Sequence, residues 1–289
     1  MPNFPLKLPD PERVLTCIDN WRKLDLKHLS DNAIDGELTS FLESLGSQLT
    51  VATPQFVIIG GPWRIRRFDY LIKNQSECWE PPRINAKMCR CNAENDPVLY
   101  ISPKITTPFE ELSIIPNTQF YIIKYKTSKP LHLFDINFSK EIPLNKYGNP
   151  IFDPNSIISY QIIREFIRCE FLKPVGKGTE YLHRISGSMC RVWFNSDDID
   201  GWQYPSVHSP NELNFAIKPS SAHEKLKIEY IHIARLANKE QHHIDSIDDE
   251  FEKKIIDSKT IVLESNFKGD INSGEITWRP SNEVLCGFN

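Results

Sequence analysis

The hydrophobic period of this chain changes near residue 55, and that change constrains the fold more than any other feature. Before it, apolar residues recur at helical spacing. Val14, Leu15, Ile18, Trp21 and Leu24 follow the cap and first turn Asp10-Pro11-Glu12, and Leu38, Phe41, Leu42 and Leu45 repeat the period up to Gly46. After it, short apolar or alternating runs stand between Gly, Pro and Ser breaks, which predicts strands. Residues 56–59 and 63–68 flank Gly60-Gly61-Pro62, and residues 120–125 and 131–135 flank Ser128-Lys129-Pro130.

Further strands are predicted at 98–101, 215–217 and 226–233. A helix is predicted over 106–112 with Pro108 in its first turn, and helix-compatible runs cover 157–171 and 180–194. Residues 69–96 are loop-rich, and the chain beyond about 237 mixes charged helix-like and strand-like pieces. The expected class is therefore α+β. The expected organisation is a small helical N-terminal appendage (1–54), a main domain (55–236) and a C-terminal extension packed on it (237–289). Packing against the main domain is the plainest role for the N-terminal helices; a partner dock, a dimer contact and a lid remain alternatives.

Several function classes are excluded. No window approaches the roughly 18 consecutive apolar residues of a membrane helix, and the N-terminus lacks a basic flank followed by an apolar signal core, so a cytoplasmic location is expected. A net charge of −4 supplies no global basic field for direct nucleic-acid binding. The seven cysteines are odd in number and irregularly spaced, which argues against a disulfide framework. Cys89-x-Cys91 with Cys78 lacks the CxxC spacing and the second matched pair of a zinc site, so no metal is expected. His242-His243 lies in a polar run and reads as surface. There are no repeats, and no dinucleotide GxGxxG, phosphate loop, GxSxG elbow or HExxH helix.

What remains is the stretch 79–112: Trp79-Glu80-Pro81-Pro82, Arg90-Cys91-Asn92, Pro97-Val98-Leu99-Tyr100, then Phe109-Glu110-Glu111-Leu112. A guanidinium, an amide, a phenol and a carboxylate around one short apolar strand make a binding-site composition. Arg64 and Arg66 alternate onto one face of their strand, where two cations repel unless an anion or an acidic partner lies opposite.

These residues resemble the RES-domain family. The matching pattern is Pro81-Pro82, Arg90-x-Asn92, Pro97-x-x-Tyr100 and Glu111. A second block, Asp200-Gly201-Trp202-Gln203-Tyr204-Pro205-Ser206 with Asn214-Phe215-Ala216-Ile217 beyond it, is similar to the family's Asp-Gly-Ile-x-Tyr-Pro-Ser segment and its sequel. The resemblance covers about residues 56–233. It implies an ADP-ribosyltransferase-like mixed sheet with flanking helices, and cleavage of the nicotinamide–ribose bond of NAD by water or phosphate. It also implies a growth-inhibitory toxin silenced by an antitoxin protein. Transfer of ADP-ribose to a protein and an inactive nucleotide-binding module are the alternatives, and a homo-oligomer is possible. NAD is the expected substrate, with no further cofactor.

On that resemblance, Arg90 and one of Arg64 or Arg66 are expected to clamp the pyrophosphate, surface strand charge being the alternative account of the latter pair. Glu111 is expected to stabilise the positive ribose of the transition state. On a helix Glu110 points about 100° away, so only one of the two faces the pocket, and the spacing from the tyrosine favours Glu111. Tyr100 is expected against the nicotinamide, or simply in the core. Asn92 and Ser206 are assigned to cofactor binding, with Ser206 orienting a phosphate or ribose oxygen. One departure stands out: the family's Asn-Pro-x-Gly is here Asn92-Ala93-Glu94-Asn95, which places asparagine where a left-handed turn prefers glycine.

Overall fold

The computed structural model describes residues 7–45, 55–58, 60–114, 118–136, 150–236, 263–282 and 284–285. Two helices come first, α1 (Pro11–Arg22) and α2 (Asp31–Leu45). Asp10 caps α1 by accepting from the Arg13 amide at 2.9 Å, and Pro11 occupies the first turn, where its missing N–H is not needed. Strands β1 (Gln55–Ile58), β2 (Trp63–Arg67) and β3 (Leu99–Ile101) follow, then α3 (Thr106–Leu112), β4 (Gln119–Thr127), β5 (Leu131–Asp135) and α4 (Pro154–Leu172). The chain continues through α5 (Arg184–Ser188), β6 (Gly201–Pro205), β7 (Leu213–Ile217), α6 (Pro219–Lys225) and β8 (Leu226–Leu236). It ends in β9 (Leu263–Asn272), β10 (Glu275–Pro280) and β11 (Val284–Leu285).

The strands form two sheets. One has the order β1-β5-β6-β7-β3, mixed because β5 and β6 run parallel; the other has the order β10-β9-β8-β4-β2 with all its pairs antiparallel. The breaks at 60–62 and 128–130 are therefore corners that carry the chain from one sheet to the other, not hairpins. Tyr121, Ile123 and Tyr125 of β4, Leu131 and Leu133 of β5, and Leu99 and Ile101 of β3 share the core between the sheets. Phe120 and Ile122 turn the other way onto Phe109 of α3. Phe134, Trp202 and Tyr204 face a helical layer with Val14, Ile18, Trp21, Leu38, Phe166 and Phe171. Burial on both faces explains why 120–125 reads as a continuous apolar run instead of alternating.

Three local features set up the site. Gly201 leaves room for β7: a side chain there would meet the Ala216 carbonyl oxygen at 2.1 Å. The run 180–194 is not one helix. It passes from a 3₁₀ turn (Glu180–His183) through α5 into a π-turn (Met189–Trp193). Edge strands β2 and β3 belong to different sheets and are stitched by a single bridge, Trp63 N–H to Ser102 O at 2.7 Å and Ser102 N–H to Trp63 O at 2.8 Å. Beyond 237, the described residues form β9 to β11, with Ser273 and Gly274 turning the β9–β10 hairpin at positive φ. His242 and His243 lie outside the described residues.

Candidate functional site

Past the β2–β3 bridge a cleft of about 500 Å³ opens, lined by β2, Tyr100 of β3, Glu111 of α3, Tyr204 of β6, Asn214 of β7, Arg90 and His183. The two sequence blocks, about a hundred residues apart, meet here. Ser206 Oγ donates to Glu111 Oε1 at 2.9 Å and Asn214 Nδ2 donates to the same oxygen at 2.6 Å. The carboxylate is thus fixed through one oxygen, while Oε2 has no partner among the described residues. Glu110 turns elsewhere and accepts from Ser209 Oγ.

Ser206 is fully buried and turned to Glu111, outside the cleft lining. Asn92 lies one layer back. Its amide donates to the Lys87 and Ala93 carbonyls at 2.8 and 2.7 Å, and its Oδ1 accepts from the Tyr100 hydroxyl at 2.6 Å. The Tyr100 oxygen also accepts from the Cys91 amide at 3.1 Å, so the phenol is locked against the arginine loop. Asn95 holds φ 61°, the left-handed turn its place in the loop requires. Its N–H reaches Ala86 O at 2.8 Å, and its carbonyl accepts from Arg83 Nε at 3.1 Å.

Four arginines line the cleft, and each is held by carbonyl oxygens. Arg90 donates to Lys173 O at 3.1 Å, Arg64 to Cys78 O at 2.9 Å and to Trp79 O, Arg66 to Glu77 O, and Arg67 to Leu112 O at 2.8 Å. No described carboxylate comes within ion-pair distance of any of them. Among the described residues, what Arg64 and Arg66 meet is a set of backbone dipoles and not an acidic side chain. A carbonyl orients a guanidinium without neutralising it, so among the described residues these four side chains are positioned and their charge is not cancelled.

His183, 93 residues from Arg90, places Nδ1 at 3.5 Å from Arg90 Nη1. Burial, Arg90 and Lys173 hold its imidazole down to about 4 against the opposing effect of Glu180, so it is neutral at physiological pH. Arginine only donates, so Nδ1 accepts and the ring proton sits on Nε2. Burial pushes the Cys89 thiol in the cleft up to about 11, which keeps it protonated and a poor nucleophile.

The backbone of β2 contributes as well. Tyr125 N–H bonds Pro62 O, and alternation along the β2–β4 ladder turns the N–H and C=O of Trp63 and Ile65 to the free edge. Trp63 spends both on Ser102; the Ile65 pair faces the cleft. Among the described residues no group of three or more His, Cys, Asp or Glu is placed to hold a metal ion, and no helix is long and apolar enough to cross a membrane.

Sequence reasoning assigned no role to Asn214, Tyr204, Arg67 or His183. The first two stood inside the second block and were within reach of it. Nothing local marked His183, which arrives by long-range packing.

No family model matches the chain, and no curated protein does. A crystal structure of the M. tuberculosis MbcT-MbcA toxin-antitoxin complex aligns with 63% of this chain and 86% of the matched chain, at 7% identity and a TM-score of 0.32. That likeness is too low to bear on either fold or function.

Proposed function

We propose that this protein is an NAD-consuming enzyme that breaks the bond between nicotinamide and ribose. One observation carries the proposal: a carboxylate fixed by two neutral donors, Ser206 and Asn214, faces a cleft whose four arginines have no described carboxylate partner. Such a cleft suits a ligand that is anionic at one end and develops positive charge at the other. The pyrophosphate would sit on Arg90 with Arg64 or Arg66, and the nicotinamide ribose beside Glu111.

When the C–N bond breaks, its electron pair leaves with nicotinamide and the ribose carbon becomes an oxocarbenium ion. Glu111 stabilises that charge where it develops, which lowers the barrier without a covalent bond. Water, phosphate or a protein side chain then adds to the carbon and loses a proton. The Ile65 N–H and C=O complement a carboxamide, and Tyr100 offers a ring wall beside it. The resemblance of the two sequence blocks to RES toxins supports growth inhibition through loss of cytoplasmic NAD, and an antitoxin partner to restrain it.

The test is nicotinamide release from NAD by purified protein, with and without phosphate, and with labelled NAD plus lysate to detect protein modification. Phosphate-dependent turnover, phosphate-independent turnover and label on protein identify the three acceptors. NAD left intact in all three arms, with healthy cells on expression, rejects the enzyme.

A further inference from the structure

We propose that the Tyr204 hydroxyl binds a ribose oxygen of the nucleotide, beside Glu111 and Arg90; this rests on the nucleotide reading of the cleft. Tyr204 lies in β6, whose residues are all buried, with its ring edge-on to Tyr100 at 6.5 Å and tilted against Phe171 at 6.1 Å. The residue is 4% exposed. Buried tyrosines almost always find a hydrogen-bond partner for the phenol, because stripping water from it without replacement is unfavourable. Tyr100 obeys that rule through Asn92 and the Cys91 amide.

The Tyr204 hydroxyl has no partner among the described residues. Nor is it sealed. Among the described residues, the side-chain atoms closed off from solvent without a partner are Trp21 Nε1, Glu80 Oε2 and Gln203 Oε1. The small exposure that Tyr204 retains is therefore to the cleft it lines, and a bound molecule is the natural partner for its oxygen.

The chemistry narrows that partner. Burial, the neighbouring thiols and Glu111 push the phenol well above its usual range against the pull of Arg90, so it is a neutral group that both donates and accepts. Phosphate oxygens are already served by guanidinium groups. A sugar hydroxyl, itself donor and acceptor, matches a neutral phenol within electrostatic reach of both the carboxylate and Arg90.

The experiment is calorimetric titration of wild type and Tyr204→Phe with two probes, ADP-ribose and inorganic pyrophosphate. Phenylalanine keeps the ring contacts, and unchanged pyrophosphate binding shows that the arginine site is intact. ADP-ribose affinity is expected to fall about tenfold in Tyr204→Phe, the scale of one hydrogen bond, with pyrophosphate affinity unchanged. Equal ADP-ribose affinities overturn the assignment, as does an equal loss for both probes, since the phenol would then act through the arginines. A wild type that binds ADP-ribose with the expected difference yet leaves NAD intact defeats the cleavage proposal and keeps Tyr204. A wild type that binds neither probe defeats both.

Discussion

Arginines serve two regions of this molecule and are held in opposite ways. Under the N-terminal helices, Arg184 reaches Asp31 through Nε at 2.9 Å and Nη2 at 2.7 Å, and Arg191 reaches Asp35 through Nη2 at 2.7 Å and Nε at 3.3 Å. Around the cleft, Arg64, Arg66, Arg67 and Arg90 are held by carbonyl oxygens. The first pair is neutralised and staples α2 to the run 184–193. Among the described residues, the second set is positioned but not neutralised. Under the proposed function, the partner of a guanidinium, more than its burial, separates a structural arginine from one that meets the ligand.

Removing the charge that opposes the cleft arginines gives the largest expected effect. Glu111→Gln should lower nicotinamide release by about 10²-fold or more, as loss of a transition-state electrostatic contact does, while Glu110→Gln stays within a few-fold of wild type. Glutamine at 110 is the better control than alanine because Ser209 keeps an acceptor. Equal losses in the two variants would dissolve the distinction between the neighbours.

Next comes a crossed pair. Arg90→Lys should raise KM about tenfold through loss of planar donation, with little change in denaturant midpoint. Arg184→Ala should cost about 2 kcal/mol in urea unfolding, the scale of a charged hydrogen-bond pair, with KM little changed. If Arg90→Lys destabilises and Arg184→Ala raises KM, the two-region division is wrong.

A smaller effect follows from His183 beside Arg90. Its folded pKa of about 4 lies below the ordinary 6.5, so the stability it contributes is fully present above about 6.5 and is lost as pH falls through about 4. Urea midpoints of the wild type should decline across that window, and His183→Asn should decline less. Parallel declines would show that the imidazole is not held neutral.

The smallest effect is at Asn95. Asn95→Gly should change stability by under about 1 kcal/mol, because relief at φ 61° is offset by a more flexible unfolded chain, while Asn95→Ala should cost about 1–2 kcal/mol in the same unfolding assay. Equal values for glycine and alanine would mean that the turn carries no strain.

Much of this was legible in the chain, and the illegible part has a definite cause. Arg90, Tyr100 and Glu111 line the cleft, with Asn92 and Ser206 in contact behind them. The motifs pointed there because closely spaced residues on a strand and a short helix keep their relative positions wherever the unit docks. Ser206 and Asn92 illustrate the limit. The sequence reading assigned both to cofactor binding, and packing sets one against Glu111 and the other against Tyr100. The corners at 60–62 and 128–130 read in sequence only as turns, since a Gly/Pro break has the same composition whether the next strand pairs with the last or crosses to another sheet.

The sequence by itself determined the local terms: the helical periods of α1 and α2, the Asp10 cap, and that only one of Glu110 and Glu111 can face the cleft. Each is fixed by φ/ψ preferences and by the geometry of one helix or strand, which neighbours in the chain set. Only the tertiary structure decided which sheet each strand joins, which carbonyls hold the arginines, and that His183 reaches the cleft. Those contacts close loops of tens to more than a hundred residues, and they are settled by how two sheets and a helical layer bury their apolar faces together, which no local window contains.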